Sequence, residues 1–176
     1  MLSSKLELSE LLTEIMRMSS RVVGAETASL FLLDEEKQEL YFHVALGLDP
    51  EVAKIRLKVG QGIAGSVAAD QKPLVINDAR SDPRWTPVID KKSGFQTRSI
   101  LAAPMTIKGR LVGVVEVINR LEGPFTEKEL RVFEAFASQA AIAIDNARLF
   151  ASLREEKATL DAVYSQMRDA AVLTDA

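Results

Sequence analysis

Gly60, Gly62 and Gly65, in the run Gly60-Gln61-Gly62-Ile63-Ala64-Gly65, repeat the spacing of a dinucleotide-binding fingerprint. In that motif the glycines let the backbone approach a pyrophosphate, which rests on the N–H groups that open a helix. The context here speaks against it, because the following helix can run only to about Asp70 before Pro73 and no further βα units build a parallel sheet. What survives is smaller. A helix that starts at a glycine-rich turn leaves N–H groups without intrahelical partners, here those of Ile63 and Ala64, and these suit an anion. A tight turn with no ligand is the equal alternative.

Glu116 is the second candidate. In Leu111-Val112-Gly113-Val114-Val115-Glu116-Val117-Ile118, strand alternation places it on one face with Val112, Val114 and Ile118. A carboxylate on such a face needs a partner, either a ligand donor or a neighbouring Arg or Lys. Ser29, in Ala28-Ser29-Leu30-Phe31, raises the same question with a hydroxyl, for which a bond to backbone is expected. The loop from Asp78 to Arg98 carries Arg80, Arg84, Lys91, Lys92 and Arg98 among three aspartates, with the only tryptophan, Trp85. A basic, aromatic lid would suit a flat anionic ligand; solvated charges, with Trp85 anchoring the loop, are the plainer reading.

Composition removes several chemistries. The 176 residues include no Cys and a single His, His43, so disulfide frameworks, thiol catalysis, iron–sulfur sites and thioether-linked bilins are out. His43 lies mid-strand and reads as structural rather than as a haem ligand. No nucleophile, base and orienting acid stand in a recognisable order, and no metal set is visible. With 22 Lys and Arg against 25 Asp and Glu, the net charge of -3 gives no footprint for nucleic acid. No run approaches the ~18 apolar residues of a membrane span, and the chain reads as cytoplasmic.

The elements that would position these residues follow from periodicity. Leu8, Leu11, Leu12, Ile15, Met18, Val22 and Val23 mark an amphipathic helix from Lys5 to Val23, ended by Gly24. Thr27–Leu33 and Glu39–Leu46 read as a strand pair, Lys54–Val59 as a third strand, and the residues from Pro73 to Ile76 as a fourth. Ser99–Ile107 and Leu111–Asn119, joined by Lys108-Gly109-Arg110, form the clearest hairpin; both strands are apolar on both faces, so the sheet should be covered on each side. From Thr126 to about Ala170 there is neither Pro nor Gly. Thr126 with Glu129 makes a capping box, and Phe125 with Leu130 a hydrophobic staple. Phe133, Phe136, Ala137, Ala140, Ile144 and Ala147 give the first half of this helix a sheet-packing face. The second half turns to a seven-residue rhythm, with Leu153, Leu160 and Met167 in one column and Leu149, Val163 and Ala170 in the other. Asn146 and Glu156 interrupt it, and an identical chain is the simplest partner for such a seam. The fold class is α+β with a mostly antiparallel sheet of about six strands.

Four ordered motifs together are similar to the GAF domain. They are Leu57-Lys58-Val59-Gly60-Gln61-Gly62-Ile63-Ala64-Gly65; Asn77-Asp78-Ala79 with Asp82-Pro83; Ser93-Gly94-Phe95-Gln96-Thr97-Arg98-Ser99-Ile100-Leu101; and Gly113-Val114-Val115-Glu116-Val117-Ile118-Asn119. The likeness covers about residues 5 to 150 and is nearest in flavour to the domains of cyclic-nucleotide phosphodiesterases and related cyclases. It implies terminal helices on one face of the sheet and a pocket under short helices and loops on the other. Carried over by position, it implies pocket residues Ser29, the backbone of Ile63 and Ala64, Thr86, Ser93, Thr97 and Glu116, with a cyclic nucleotide as leading ligand. Ala45 and Leu46 stand where guanine-binding relatives carry an aromatic and an aspartate. The family's Asn-Lys-Phe-Asp-Glu signature is met by Asn119, Arg120, Phe125 and Glu129, with Leu130 last, which implies an Arg120–Glu129 ion pair.

The expected organisation is a sensory domain over residues 1–150, a coiled-coil signalling helix over 151–170, and in 171–176 the opening of a segment that resembles a PAS domain. The resemblance implies the non-catalytic input end of a signalling protein, such as a sensor histidine kinase or a diguanylate cyclase. It would dimerise through its N- and C-terminal helices. The alternative is a ligand-free dimerisation and spacer module whose pocket is collapsed or filled by Leu46 and its neighbours.

Overall fold

The computed structural model describes residues 2–174. Helix α1 (Leu2–Val23) leads into β1 (Ala25–Asp34) and β2 (Glu39–Ala45), then β3 (Arg56–Lys58), α2 (Gly62–Asp70), β4 (Leu74–Ile76), α3 (Val88–Ser93), β5 (Ile100–Ile107), β6 (Arg110–Arg120) and α4 (Glu127–Thr174). Single 3-10 turns at Val52–Lys54 and Ala79–Ser81 sit in the connections. The strands form one sheet in the order β3-β2-β1-β6-β5-β4, with every neighbouring pair antiparallel. No parallel βαβ unit is present among the described residues, so the glycine run has no dinucleotide-binding context.

The β5–β6 hairpin closes on Lys108 and Gly109, both at positive φ, as a two-residue turn matched to strand twist requires. Because both strands are apolar on both faces, the sheet carries two cores. On one face Leu12 and Met16 of α1 and Phe133, Ala137, Ala140 and Ile144 of α4 pack on Leu30, Leu101, Val115 and Val117. On the other, Ile63, Ala64, Val67 and Ala68 of α2 pack on Phe31, Ile100, Ala102 and Val114.

Two bulges revise the simple alternation. Met105 pairs with Gly113 but Thr106 with Leu111, so Val112 is the extra residue and turns into the helix-side core while Leu111 faces the other way. Val112 therefore does not share the face of Glu116, as plain alternation had it. On β2, Leu30 pairs with Val44 and Phe31 with Phe42, leaving His43 as the extra residue; its Nε2 lies 3.2 Å from Ser9 Oγ of α1. Burial holds the His43 pKa below its ordinary value.

The helix start of α4 is built as its sequence implies. Thr126 N–H donates to Glu129 Oε2 at 2.8 Å, the Thr126 hydroxyl donates to the same carboxylate, and Lys128 N–H donates to Thr126 Oγ1 at 3.3 Å. Phe125 and Leu130 both join the helix-side core. The stripe on α1 divides, with Leu12 and Val23 buried while Leu11, Met18 and Val22 stay exposed, and Met16, outside the stripe as read, is buried with the first two. From Arg148 to Thr174 every residue of α4 is exposed. Of the segment 171–176 expected to open a further domain, residues 171–174 continue α4, and Asp175 and Ala176 lie outside the described residues.

Candidate functional site

The glycine run makes a turn that folds back on its own helix. Gly60 N–H donates to Gly65 O at 2.8 Å and Gly65 N–H to Gln61 O at 3.1 Å. A Cβ on Gly65 would lie 2.6 Å from Lys58 O, so only glycine lets α2 sit this close to the end of β3. Gln61 does not cap the helix, because its Oε1 accepts from Lys58 N–H at 3.1 Å. The N–H groups of Ile63 and Ala64 have no acceptor among the described residues, as expected at an uncapped start.

These residues border a partly open cavity of about 60 Å³ between the sheet, α2 and the Asp78–Arg98 lid. Its floor is Phe31, Ile100, Glu116 and Ile118; Trp85, Thr86, Ile89, Asp90 and Thr97 close it from the lid. It has room for a few water molecules and is far smaller than a nucleotide. Leu46 packs with the helix-side core and does not fill it; the large side chains around it are Phe31 and Trp85.

Glu116 is 7% exposed and makes no hydrogen bond or ion pair among the described residues. Neither a Lys nor an Arg has come to it. Burial pushes its carboxyl pKa up from 4.5 to about 7. Ser29, 2% exposed, is its direct cross-strand partner on the same face of the sheet. The backbone bond expected for the Ser29 hydroxyl is absent among the described residues, and Ser29 stands beside the cavity lining rather than in it.

Of the other residues implied by resemblance, Ile63, Ala64, Thr86, Thr97 and Glu116 line the cavity together and Ser93 does not. The Ser93 hydroxyl donates to Ile89 O at 2.7 Å and accepts from Phe95 N–H at 3.1 Å, which closes the end of α3. Thr97 is held by Asp90, with its hydroxyl 2.6 Å from Oδ1 and its N–H 2.8 Å from Oδ2. In the sequence Asp90 reads only as a loop charge, and α3 is what brings it beside Ile89 at the lid.

The lid's cations point elsewhere. Arg84 forms a two-point pair with Asp82 at 2.9 and 2.7 Å, Arg98 lies 3.8 Å from Glu26, and Arg80, Lys91 and Lys92 are exposed. The charged side chains on the cavity wall are thus two carboxylates, Glu116 and Asp90. Trp85 both packs against the core and borders the cavity.

The end of the lid is tied through the C-terminal end of β6 to both terminal helices. Buried Asn119 accepts from Arg98 and Ser99 N–H at 2.7 and 3.2 Å and donates to Gln96 O at 2.8 Å and to Glu26 at 3.0 Å. Arg120 takes the Ser99 hydroxyl as acceptor for its N–H at 3.0 Å and donates from its guanidinium to Val23 O at the end of α1. It also lies 3.3 Å from Glu129 in the first turn of α4. Glu129 thus serves the cap and the ion pair together, and its hydrogen bonds from Thr126 hold its pKa below the usual carboxylate value.

Comparison with known proteins matches the family model of the GAF domain to residues 7–144. The chain is 33% identical over 154 residues to the probable 3',5'-cyclic phosphodiesterase pde-5 of Caenorhabditis elegans, covering 82% of this chain and 21% of that protein. It therefore spans about a fifth of that relative's length. Among solved structures, the GAF domain of a phosphoenolpyruvate-protein phosphotransferase from Coxiella burnetii superposes with a TM-score of 0.74 at 25% identity, over 82% of this chain and 86% of that one. A domain assigned to a two-component sensor histidine kinase protein of Sinorhizobium meliloti gives 0.67 at 17% identity, over 82% and 96%. The family model covers more than half of the chain and the solved neighbours share its fold, so the chain belongs to the GAF domain family.

Proposed function

We propose that this domain senses a small molecule in the cavity above β1 and β6 and passes its occupancy through α4 to a downstream output. The observation that carries this reading is Glu116, a residue only 7% exposed whose carboxyl opens to the cavity floor and makes no hydrogen bond or ion pair among the described residues. A group so placed is costly in the empty domain and is satisfied when a ligand donor meets it. A cyclic nucleotide is the ligand proposed first. The similarity to a protein named as a cyclic phosphodiesterase supports it, and so do the free N–H groups of Ile63 and Ala64, which suit a phosphate. Ser29, Thr86, Ser93 and Thr97 are the further proposed contacts.

A nucleotide is larger than the present hollow, so binding requires the lid to swing outward or reorder. Ligand then shifts the domain only by binding the rearranged lid more tightly than the closed one. The hydrogen-bonded chain from Gln96 and Ser99 through Asn119 and Arg120 to Val23 and Glu129 is the proposed route to α1 and α4. The domain itself is non-catalytic, works in the cytoplasm as a homodimer through α1 and α4, and feeds an output such as a histidine kinase or a diguanylate cyclase, with a PAS domain following it. Isothermal calorimetry with cyclic GMP and cyclic AMP tests the pocket. Binding of at least one, lost in Glu116→Ala and weakened in Thr97→Ala, supports the assignment, whereas variants that bind as the parent does overturn it.

The cavity's small volume favours a second reading, a ligand-free dimerisation and spacer module. Thermal shift against a metabolite panel separates the two, since a ligand at 100 times its dissociation constant stabilises by about 2.7 kcal/mol. A flat panel supports the spacer.

A further inference from the structure

The wall of the small-molecule cavity has a sign. Among the described residues its charged side chains are Glu116 on β6 and Asp90 on α3, and no Lys, Arg or His lines it. The elements packed around Glu116 bring no counter-charge. β1 sets Ser29 against it, β5 sets Ala102, and α2 contributes Ile63 and Ala64 to the same cavity. Two carboxylates without a cation repel an anion and favour a positive or donor group, and apolar neighbours such as Phe31 and Ile100 strengthen both effects by lowering the local polarity.

Both oxygens of Glu116 are open. They make no hydrogen bond or ion pair, yet no fully buried side-chain N or O among the described residues lacks a partner, so each oxygen reaches the hollow instead of being sealed in protein. The Ser29 hydroxyl beside it is likewise unbonded and open. Asp90 differs, because its two oxygens already accept from Thr97 at 2.6 and 2.8 Å. An ionised carboxylate only accepts, and two free oxygens in one plane match a planar fork of two N–H donors better than a single donor. No group of three or more His, Cys, Asp or Glu among the described residues is placed to hold a metal ion, which leaves an organic donor.

We infer that the molecule sensed here presents a planar N–H fork to Glu116: a guanidinium or amidinium group, or a nucleobase edge with two adjacent N–H donors. An acceptor-only group in that place would face two carboxylates and is rejected. Any negative group of the same molecule belongs at the other end, where the N–H groups of Ile63 and Ala64 open α2 beside the same cavity. The ligand is therefore polarised, with its donor end on the sheet and its acceptor end at α2. Binding the fork also expels the Glu116 proton, because burial holds this carboxyl at about 7 before binding and the fork favours the ionised form. Affinity for the fork thus strengthens as pH rises.

The inference rests on the cavity being the sensing site of the proposed function, and a small probe separates the two. A hollow with room for a few water molecules admits a guanidinium ion without a swing of the lid. Amide NMR of the full 176-residue chain follows a titration with millimolar guanidinium chloride, against sodium chloride at equal ionic strength. Saturable shifts at Ser29, Glu116 and Val117 are expected, absent in the isosteric Glu116→Gln, with an affinity that rises about tenfold from pH 6 to pH 8. Sodium formate, planar but acceptor-only, should move none of these amides. Unmoved amides, equal shifts in Glu116→Gln, an affinity flat with pH, or formate acting as guanidinium does would each overturn the inference. Competition then identifies the source of the fork, which cyclic GMP carries on its base and agmatine on its guanidino group, while cyclic AMP has a lone amino group. Displacement of guanidinium by cyclic GMP but not cyclic AMP supports a nucleobase, and displacement by agmatine alone supports a guanidino compound. Equal displacement by both nucleotides, or a nucleotide that binds without displacing guanidinium, removes the fork from Glu116 and leaves the sensing site standing. Guanidinium bound with neither nucleotide bound keeps the fork and removes the cyclic nucleotide from the proposed function.

Discussion

The two faces of one sheet are finished differently. On the helix face, α1 and α4 bring long apolar side chains onto β1, β5 and β6, and the buried polar groups there are tied down, as Ser19 is to Met16 O at 2.8 Å. On the lid face a nine-residue helix of small side chains and an irregular segment cover a floor that contains an unpaired carboxyl and a hollow. One face is built for stability. The other leaves a carboxyl facing a hollow instead of a protein partner, an arrangement found in folded proteins chiefly where a ligand or a reaction uses it.

The largest effect should come from the finished face. Phe133→Ala removes a fully buried ring from between α4 and the sheet and should cost about 3–5 kcal/mol in urea unfolding. Trp85→Ala, on the half-buried lid, should cost less than half as much; equal costs would erase the contrast. Next is Glu116→Gln, which should stabilise the empty domain. Burial raises the folded pKa of Glu116 from 4.5 to about 7, so between those values the folded chain binds more protons than the unfolded one. Stability contributed by this group therefore falls as pH rises through that window, by up to about 3 kcal/mol. Unfolding from pH 5 to 8 should show this decline in the parent and lose most of it in the variant. Asp90→Ala removes both bonds to Thr97, should cost about 1–2 kcal/mol, and should speed amide exchange at residues 95–98 before the β5–β6 hairpin. Smallest is Lys91→Ala, an exposed lid cation, which should stay within about 0.5 kcal/mol by thermal unfolding.

Sequence and structure agree best where local chemistry decides the outcome. The Lys108-Gly109 turn and the Thr126–Glu129 cap each need only a few neighbouring residues, and both are present as read. Glu116 could be singled out because one carboxylate interrupts an otherwise apolar strand. Which partner it would find could not be read, since that depends on where remote arginines and lysines point; here they pair with Asp82 and Glu26 or face solvent. The bulge at Val112 escaped for a related reason, because a register shift is set by two strands and not by one. The Asp90–Thr97 bond escaped because seven residues of irregular chain separate the two groups. On α1 the apolar stripe spans more than one face of the helix, so its period alone does not separate Leu12 and Val23, which meet the sheet side, from Leu11, Met18 and Val22, which stay outside.

The most direct test of the unfinished face is an amide NMR titration of the whole chain with a small-molecule panel that includes cyclic GMP and cyclic AMP. Expected is at least one compound that moves the resonances of Ile63, Ala64 and Thr97 and, through Asn119 and Arg120, those of the first turn of α4. If every compound leaves these amides unmoved at millimolar concentration, the hollow is a packing gap and the sensing account fails.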